Sequence, residues 1–332
     1  MEDNLLLDAL ETLLKDKATP AVVRAIEGGG SAAALWSALE ESGFCDTLVA
    51  EAEGGAGLGL AAAFPLVEAC GRYALPLPLA QTMVARALLA RAGERSPTGA
   101  IALACAKEDA TADIPVSYGA VATWVLLARG GALQLLDAKA AKKTIVDDRS
   151  VDARMTWPAS ALAQPRFASD VDLRAIEAAL LAAQLAGAMR QVFALTLQYA
   201  NDRKQFGRSI GKFQAIQHQL SVMAEHTAAA HMAARMAFAT EAQLPQPLAC
   251  AVAKARASEA TAIVAAGAHA IHAAIGITAE YDLQLYTRRL HAWRAAAGSE
   301  SYWNARIGRA LLASSAANVV DFVRQEMAAK AH

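Results

Sequence analysis

The sequence predicts a mainly α-helical chain with a small β segment set between two helical regions. Three observations carry this reading. Apolar residues recur at helical spacing, almost without a breaker, from Asp170 onward. Short apolar runs bounded by turn residues fill the stretch from Pro97 to Arg166. Before them, helical patterns are punctuated by glycine. The expected divisions are residues 1–95, an N-terminal helical domain; 96–168, a shortened β domain; and 169–332, a C-terminal four-helix bundle.

Leu6, Leu10, Leu13 and Leu14 mark one buried helix face. A second helix covers Ala32–Leu39 and stops at Gly43. The glycine-rich turn from Glu53 to Gly59 opens another helix through Cys70; its spacing is not GxGxxG and no strand precedes it, so it is not a dinucleotide fingerprint. Pro76 and Pro78 break the chain before a helix from Ala80 to Ala92. Strands are expected at 101–105, 122–128, 132–136 and 143–146. Helices are then expected from Asp172 to Arg203, from Lys212 to Glu241, from near Pro247, from Leu283 to Ala297, and from Ser299 to the C-terminus.

Composition excludes several classes. Of 332 residues, 55% are hydrophobic and 19% charged, which rules out a disordered chain. With 31 Lys and Arg against 32 Asp and Glu there is no electrostatic footprint for nucleic acid or an anionic membrane. The opening residues are acidic where a signal peptide would be basic. The stretch from Ala260 to Ile277 is largely alanine and contains His269 and His272, which reads as a buried helix and not a membrane span. Cys45, Cys70, Cys105 and Cys250 are scattered, without metal spacing, as in a reduced cytoplasmic protein. His269 and His272 stand three apart with no acidic third ligand nearby, so no metal site is expected.

The informative motif runs Tyr199-Ala-Asn-Asp-Arg203-Lys-Gln-Phe206-Gly207-Arg-Ser-Ile210-Gly-Lys-Phe213-Gln214. It resembles the acyl-CoA dehydrogenase signature Y-x-x-x-R-x-x-F-G-x-x-I-x-x-F-Q. Downstream, the segment from Ile271 to Leu283 resembles that family's H-G-G-x-G-(F/Y)-T-x-E-x-x-L. The resemblance implies an acyl-CoA dehydrogenase-like fold and FAD as cofactor. In the family the arginine reaches the pyrophosphate of a cofactor held mainly by a neighbouring subunit, with the Phe and Gln lining it. Carried over, this nominates Arg203, Phe206 and Gln214, with Ala270, Ala273 and Ala274 at the end of the cofactor-binding helix. A planar, permanently charged guanidinium suits a diphosphate. On its own, Arg203 also reads as a solvent-facing cation favoured at a helix C-terminus.

Three departures stand out. The family's usual base lies in a Y-E-G-T segment, whose position here holds Ala297. Some members carry the base on the first bundle helix, and the matching position is Glu177, within an apolar stretch. Burial there would favour a proton-accepting role near neutral pH; the other reading is a solvated carboxylate near a helix N-terminus. The family's T-E-P-x-x-G-S-D and W-I-T-N patterns against the flavin are missing, and its glycine pair is replaced by Ala273 and Ala274. Such shortened chains resemble subunits of heteromeric α2β2 acyl-CoA dehydrogenases. The implied reaction is FAD-dependent α,β-dehydrogenation of an acyl-CoA thioester of a bulky acid such as a steroid side chain, with electron transfer flavoprotein as oxidant. A non-catalytic partner chain, or a helical interaction protein without flavin, remain the alternatives.

Overall fold

The computed structural model describes residues 2–110 and 112–326. The N-terminal helices are α1 (Glu2–Lys17), α2 (Pro20–Glu27), α3 (Ala33–Glu41), α4 (Leu60–Arg72) and α5 (Leu79–Arg91). The chain divides into two compact units: residues up to Cys70 with Leu75–Glu177, and Gly71–Ala74 with Ala178 onward.

In the first unit Leu10 and Leu14 are buried and Leu6 and Leu13 half-buried, as the periodicity requires. Helix α2 is missing from the sequence expectation because it is only eight residues long. Its signals are present: the Thr19 hydroxyl accepts the Val22 N–H, Pro20 opens the first turn, and glycines follow. Helix α5 is buried almost all round. Its Arg86 is the strut of the unit, donating to both Asp46 oxygens at 3.1 and 2.8 Å and to the Glu40 carboxylate. Glu40 also accepts the Gly99 N–H at 2.9 Å. Burial pushes the Glu40 carboxyl up, but the Gly99 N–H and Arg86 outweigh it and hold it below the ordinary value.

The strands are β1 (Ile101–Cys105), β2 (Ile114–Val116), β3 (Trp124–Arg129), β4 (Ala132–Asp137), β5 (Lys142–Ile145), β6 (Ala153–Thr156) and β7 (Phe167–Ala168), with a one-turn helix α6 (Ala159–Leu162) before the last. They form two sheets, ordered β1-β3-β4-β7 and β2-β6-β5. β1 and β3 run parallel, in register from Ile101 with Trp124. The four runs expected from sequence are β1, β3, β4 and β5; β2, β6 and β7 were missed. β2 and β7 are only three and two residues long, and β2 carries an exposed proline, while β6 alternates over just four residues, too short a run to announce itself. The shared core includes Val125, Leu127, Leu136, Met155 and Trp157.

The second unit is helical: the rest of α7 (Leu173–Asp202), then α8 (Gln214–Phe238), α9 (Pro247–His272), α10 (Leu283–Ala295), α11 (Glu300–Ala313) and α12 (Val319–Glu326). A short hairpin, β8 (Lys204–Gln205) and β9 (Arg208–Ser209), lies between α7 and α8. The expected continuous last helix is a correction. It ends at Ala313, where the Ser314 hydroxyl donates to the Leu311 carbonyl, and α12 restarts with the Asn318 side chain accepting the Asp321 N–H. Its expected course through 327–332 lies outside the described residues. By length and composition α7 and α9 could cross a membrane, yet 72% and 44% of their most apolar windows are buried within the fold.

Close approaches in this unit depend on residues without bulk. A Cβ on Gly71 would stand 1.9 Å from the Gln184 carbonyl oxygen of α7. No backbone atom can yield that much, so Gly71→Ala is expected to destabilise the protein by at least about 2 kcal/mol. A urea titration of the variant should show an earlier midpoint, and an unchanged midpoint would contradict the packing.

Candidate functional site

Helix α7 stops at Asp202, and the following peptide is pinned on both sides. The Arg203 N–H donates to the Tyr199 carbonyl and the Arg203 carbonyl accepts the Ile210 N–H, both at 2.8 Å. The hairpin between them turns at Phe206 and Gly207, with φ of 52° and 79°. Two consecutive positive φ values match the right-handed twist of a two-residue hairpin. Arg203, Lys204, Arg208 and Lys212 are exposed around this turn. The Arg203 side chain has no hydrogen bond or ion pair among the described residues. Phe206 is 91% exposed, touching Phe213 only edge-on at 6.2 Å between centroids. Arg208 lies over the other ring, 4.2 Å from the Phe213 centroid.

Gln214 opens α8, one turn before His218. A groove of about 400 Å³ runs between α8 and α9, lined by His218, Gln219, Val222, Ile263, Gly267 and Ala270. Gly267 lets the helices close: a Cβ there would lie 2.9 Å from the Met223 side chain. Ala270, Ala273 and Ala274 are all exposed along the end of α9. Gln214 and Ala270 thus belong to one end of the α8–α9 pair, and Arg203 and Phe206 to the hairpin leading into it.

Ala273 sits at φ 53°, ψ −138°, a backbone region that favours glycine. Just before it, His272 is 1% exposed and stacked on Tyr199, with centroids 4.4 Å apart. Its Nδ1 lies 2.8 Å from the Ala268 carbonyl. A carbonyl only accepts, so Nδ1 carries the proton. Nε2 is buried with no hydrogen-bond partner among the described residues. His269 Nε2 lies 3.0 Å from the Thr287 hydroxyl.

The turn at Ala297 keeps a left-handed backbone, φ 53° there and 107° at Gly298, although alanine offers no base. Lys254, wholly buried, holds this turn. Its Nζ donates to Ser258 Oγ at 3.0 Å, to the Arg294 carbonyl at 2.8 Å and to the Gly298 carbonyl at 2.9 Å. Sequence reasoning missed it, though a lone lysine within Ala251-Val-Ala-Lys254-Ala was a visible signal.

Glu177 belongs to the other compact unit. It is 5% exposed, so it is not a solvated surface carboxylate. Its neighbourhood includes Cys105 at the end of β1, whose thiol is pushed up chiefly by burial and further by the charges of Glu177 and Asp172, against Arg174. Among the described residues no cluster of three or more His, Cys, Asp or Glu could hold a metal.

The acyl-CoA dehydrogenase N-terminal domain matches residues 1–96 and the acyl-CoA dehydrogenase C-terminal domain residues 174–312. Acyl-CoA dehydrogenase IpdE2 of Mycolicibacterium smegmatis is 32% identical over 295 residues, 87% of this chain and 92% of that one. The chain belongs to the acyl-CoA dehydrogenase family. Among solved structures of this fold, a variant of the steroid ACAD Tcur3481-Tcur3483 superposes with a TM-score of 0.80 at 26% identity, covering 94% of this chain and 98% of that one. The ChsE4-ChsE5 complex of Mycobacterium tuberculosis also gives 0.80, at 21% identity over 95% and 98% of the two chains.

His272, buried, and His269, half-buried, predict a pH dependence for this acyl-CoA dehydrogenase chain. Burial pushes both imidazoles below their ordinary 6.5, aided for His269 by His291 and opposed for His272 by its bond to Ala268. The unfolded chain therefore takes up protons first, so stability is full above about pH 6.5 and falls as the pH drops below it. A melting series from pH 7.5 to 5 should show this slope, and His272→Phe should flatten part of it. An equal slope in both proteins would exclude His272 as a contributor.

Proposed function

We propose that this chain is the arginine-contributing subunit of an FAD-dependent acyl-CoA dehydrogenase built from two unlike chains. One observation carries the reading: Arg203 and Phe206 are displayed on a hairpin pinned at both ends, the guanidinium without a hydrogen bond or ion pair among the described residues and the phenyl ring 91% exposed. Such groups suit a ligand delivered from outside. The residues fit a flavin dinucleotide: Arg203 would hold the pyrophosphate, Phe206 and Gln214 would flank the cofactor, and the small Ala270, Ala273 and Ala274 leave backbone open to it. FAD, when bound, supplies the hydride acceptor. The substrate class is an acyl-CoA thioester of a bulky acid, supported by the similarity to a steroid ACAD and to IpdE2. Electron transfer flavoprotein is the proposed oxidant.

Glu177 is the proposed base for the α-proton. Its burial keeps the carboxylate away from water, as proton abstraction from a weak carbon acid needs. A second reading has its own observation, the methyl group at Ala297, under which the other chain supplies the base and this one completes the flavin site.

The test is co-expression with a neighbouring dehydrogenase gene, followed by a visible spectrum. Yellow protein only on co-expression is expected, and colourless protein under both conditions would sink the flavin reading. In the yellow complex, Arg203→Ala is expected to weaken flavin retention about tenfold or more. Glu177→Gln should keep the colour but slow bleaching by acyl-CoA roughly 10²–10⁴-fold. Bleaching at the parental rate would remove Glu177 from the chemistry.

A further inference from the structure

Three rings from separate stretches of the second unit meet in one cluster. Tyr199 stands on the last turn of α7, His272 is the last residue of α9, and Tyr281 lies in the loop before α10. The His272 ring stacks on Tyr199 at 4.4 Å and 25° and leans on Tyr281 at 5.2 Å and 54°; the two tyrosines meet edge-on at 6.3 Å. The Nδ1–H bond to the Ala268 carbonyl fixes the ring's rotation. The imidazole is therefore an oriented spacer between two aromatic rings.

Each side of this spacer leads directly to a proposed ligand-bearing segment. The Tyr199 carbonyl accepts the N–H of Arg203. On the other side His272 is followed at once by Ala273, whose left-handed backbone persists only if its neighbours hold it.

We propose that His272 is a positioning residue: its stack on Tyr199 and Tyr281 sets the separation between the Arg203 hairpin and the 273–274 peptide. This rests on the flavin reading for its purpose, because a diphosphate spanning both segments demands that separation. The ring does not touch the ligand. It acts by locking the end of α7 to the end of α9, and removing it lets the two segments move apart, each with its half of the site intact.

The test uses the full chain with His272→Ala, which deletes the spacer, and His272→Phe, which keeps a ring in its place. In the chain alone, hydrogen exchange of the amides at 203–209 and 273–277 should quicken together in His272→Ala. Amides in the middle of α8 should keep the parental rate, and His272→Phe should restore most of the protection. In the flavin-bearing complex, His272→Ala should lower flavin retention roughly tenfold. Combined with Arg203→Ala it should add little further loss, since the ring acts through the arginine's placement. Parental exchange in either segment of His272→Ala, or a fully additive loss with Arg203→Ala, overturns the proposal. If the parental complex binds no flavin, the functional reading fails, and exchange alone decides whether the ring lock stands. Should His272→Ala not fold, Tyr199→Leu removes the other face of the stack and carries the same readouts.

Discussion

At Arg203 a single residue still donates its N–H to the last turn of α7 while its carbonyl has already turned to accept the Ile210 N–H. Ending the helix and closing the hairpin are therefore the same event, and no slack remains between them. An arginine on a frayed helix end would sample many directions and lose most of its binding advantage to ordering entropy. Here the two bonds fix the start of its side chain, and the positive φ values at Phe206 and Gly207 throw the phenyl ring outward. The groups proposed to face the cofactor in the second unit follow from that geometry.

The turn at 294–298 shows a different way of holding backbone. Burying an ammonium is expensive unless each of its protons finds an acceptor. Lys254 has three acceptors for three protons, two of them carbonyls of this turn. The charge is tolerable because the turn is in place, and the turn is held because the charge would otherwise be unsatisfied. Ala297 can therefore keep φ of 53° without a glycine. Ala273 is parallel: alanine stands where the resemblance expects glycine, and the left-handed conformation survives beside a packed ring.

How much of this was legible depends on the range of the forces involved. Helices α3, α5, α7 and α9 were readable because their long runs of helix formers, bounded by glycine, proline or turn residues, are local signals. The motif from Tyr199 to Gln214 was readable because its chemistry is local. The parallel pairing of β1 with β3 was not, since nothing in either run states its partner. Glu177 stayed ambiguous because one apolar stretch is compatible with both faces of a helix, and only tertiary burial decides. His272 drew notice only as one of two histidines three apart; its stack with Tyr199 joins residues 73 positions apart and left no trace in spacing. Tertiary pairing of this kind is invisible to any local pattern.

An alanine-rich bundle also explains why the site looks unfinished within one chain. Burial stabilises by about 25 cal/mol per Å² of apolar surface, and alanine has little to bury. Helices α8 and α9 compensate by approaching closely through Gly267 rather than by interlocking large side chains. Their outward faces then present backbone near the surface, and larger apolar groups are left uncovered, among them Met232 and Ile263. A surface of this kind gains most from a partner that fits its shape, because little side-chain freedom is lost on contact. The exposed Phe206, and Arg203 with no side-chain bond among the described residues, belong to the same logic. Folding leaves both groups facing solvent, so the free energy they can contribute remains available to the proposed partner chain and its ligand.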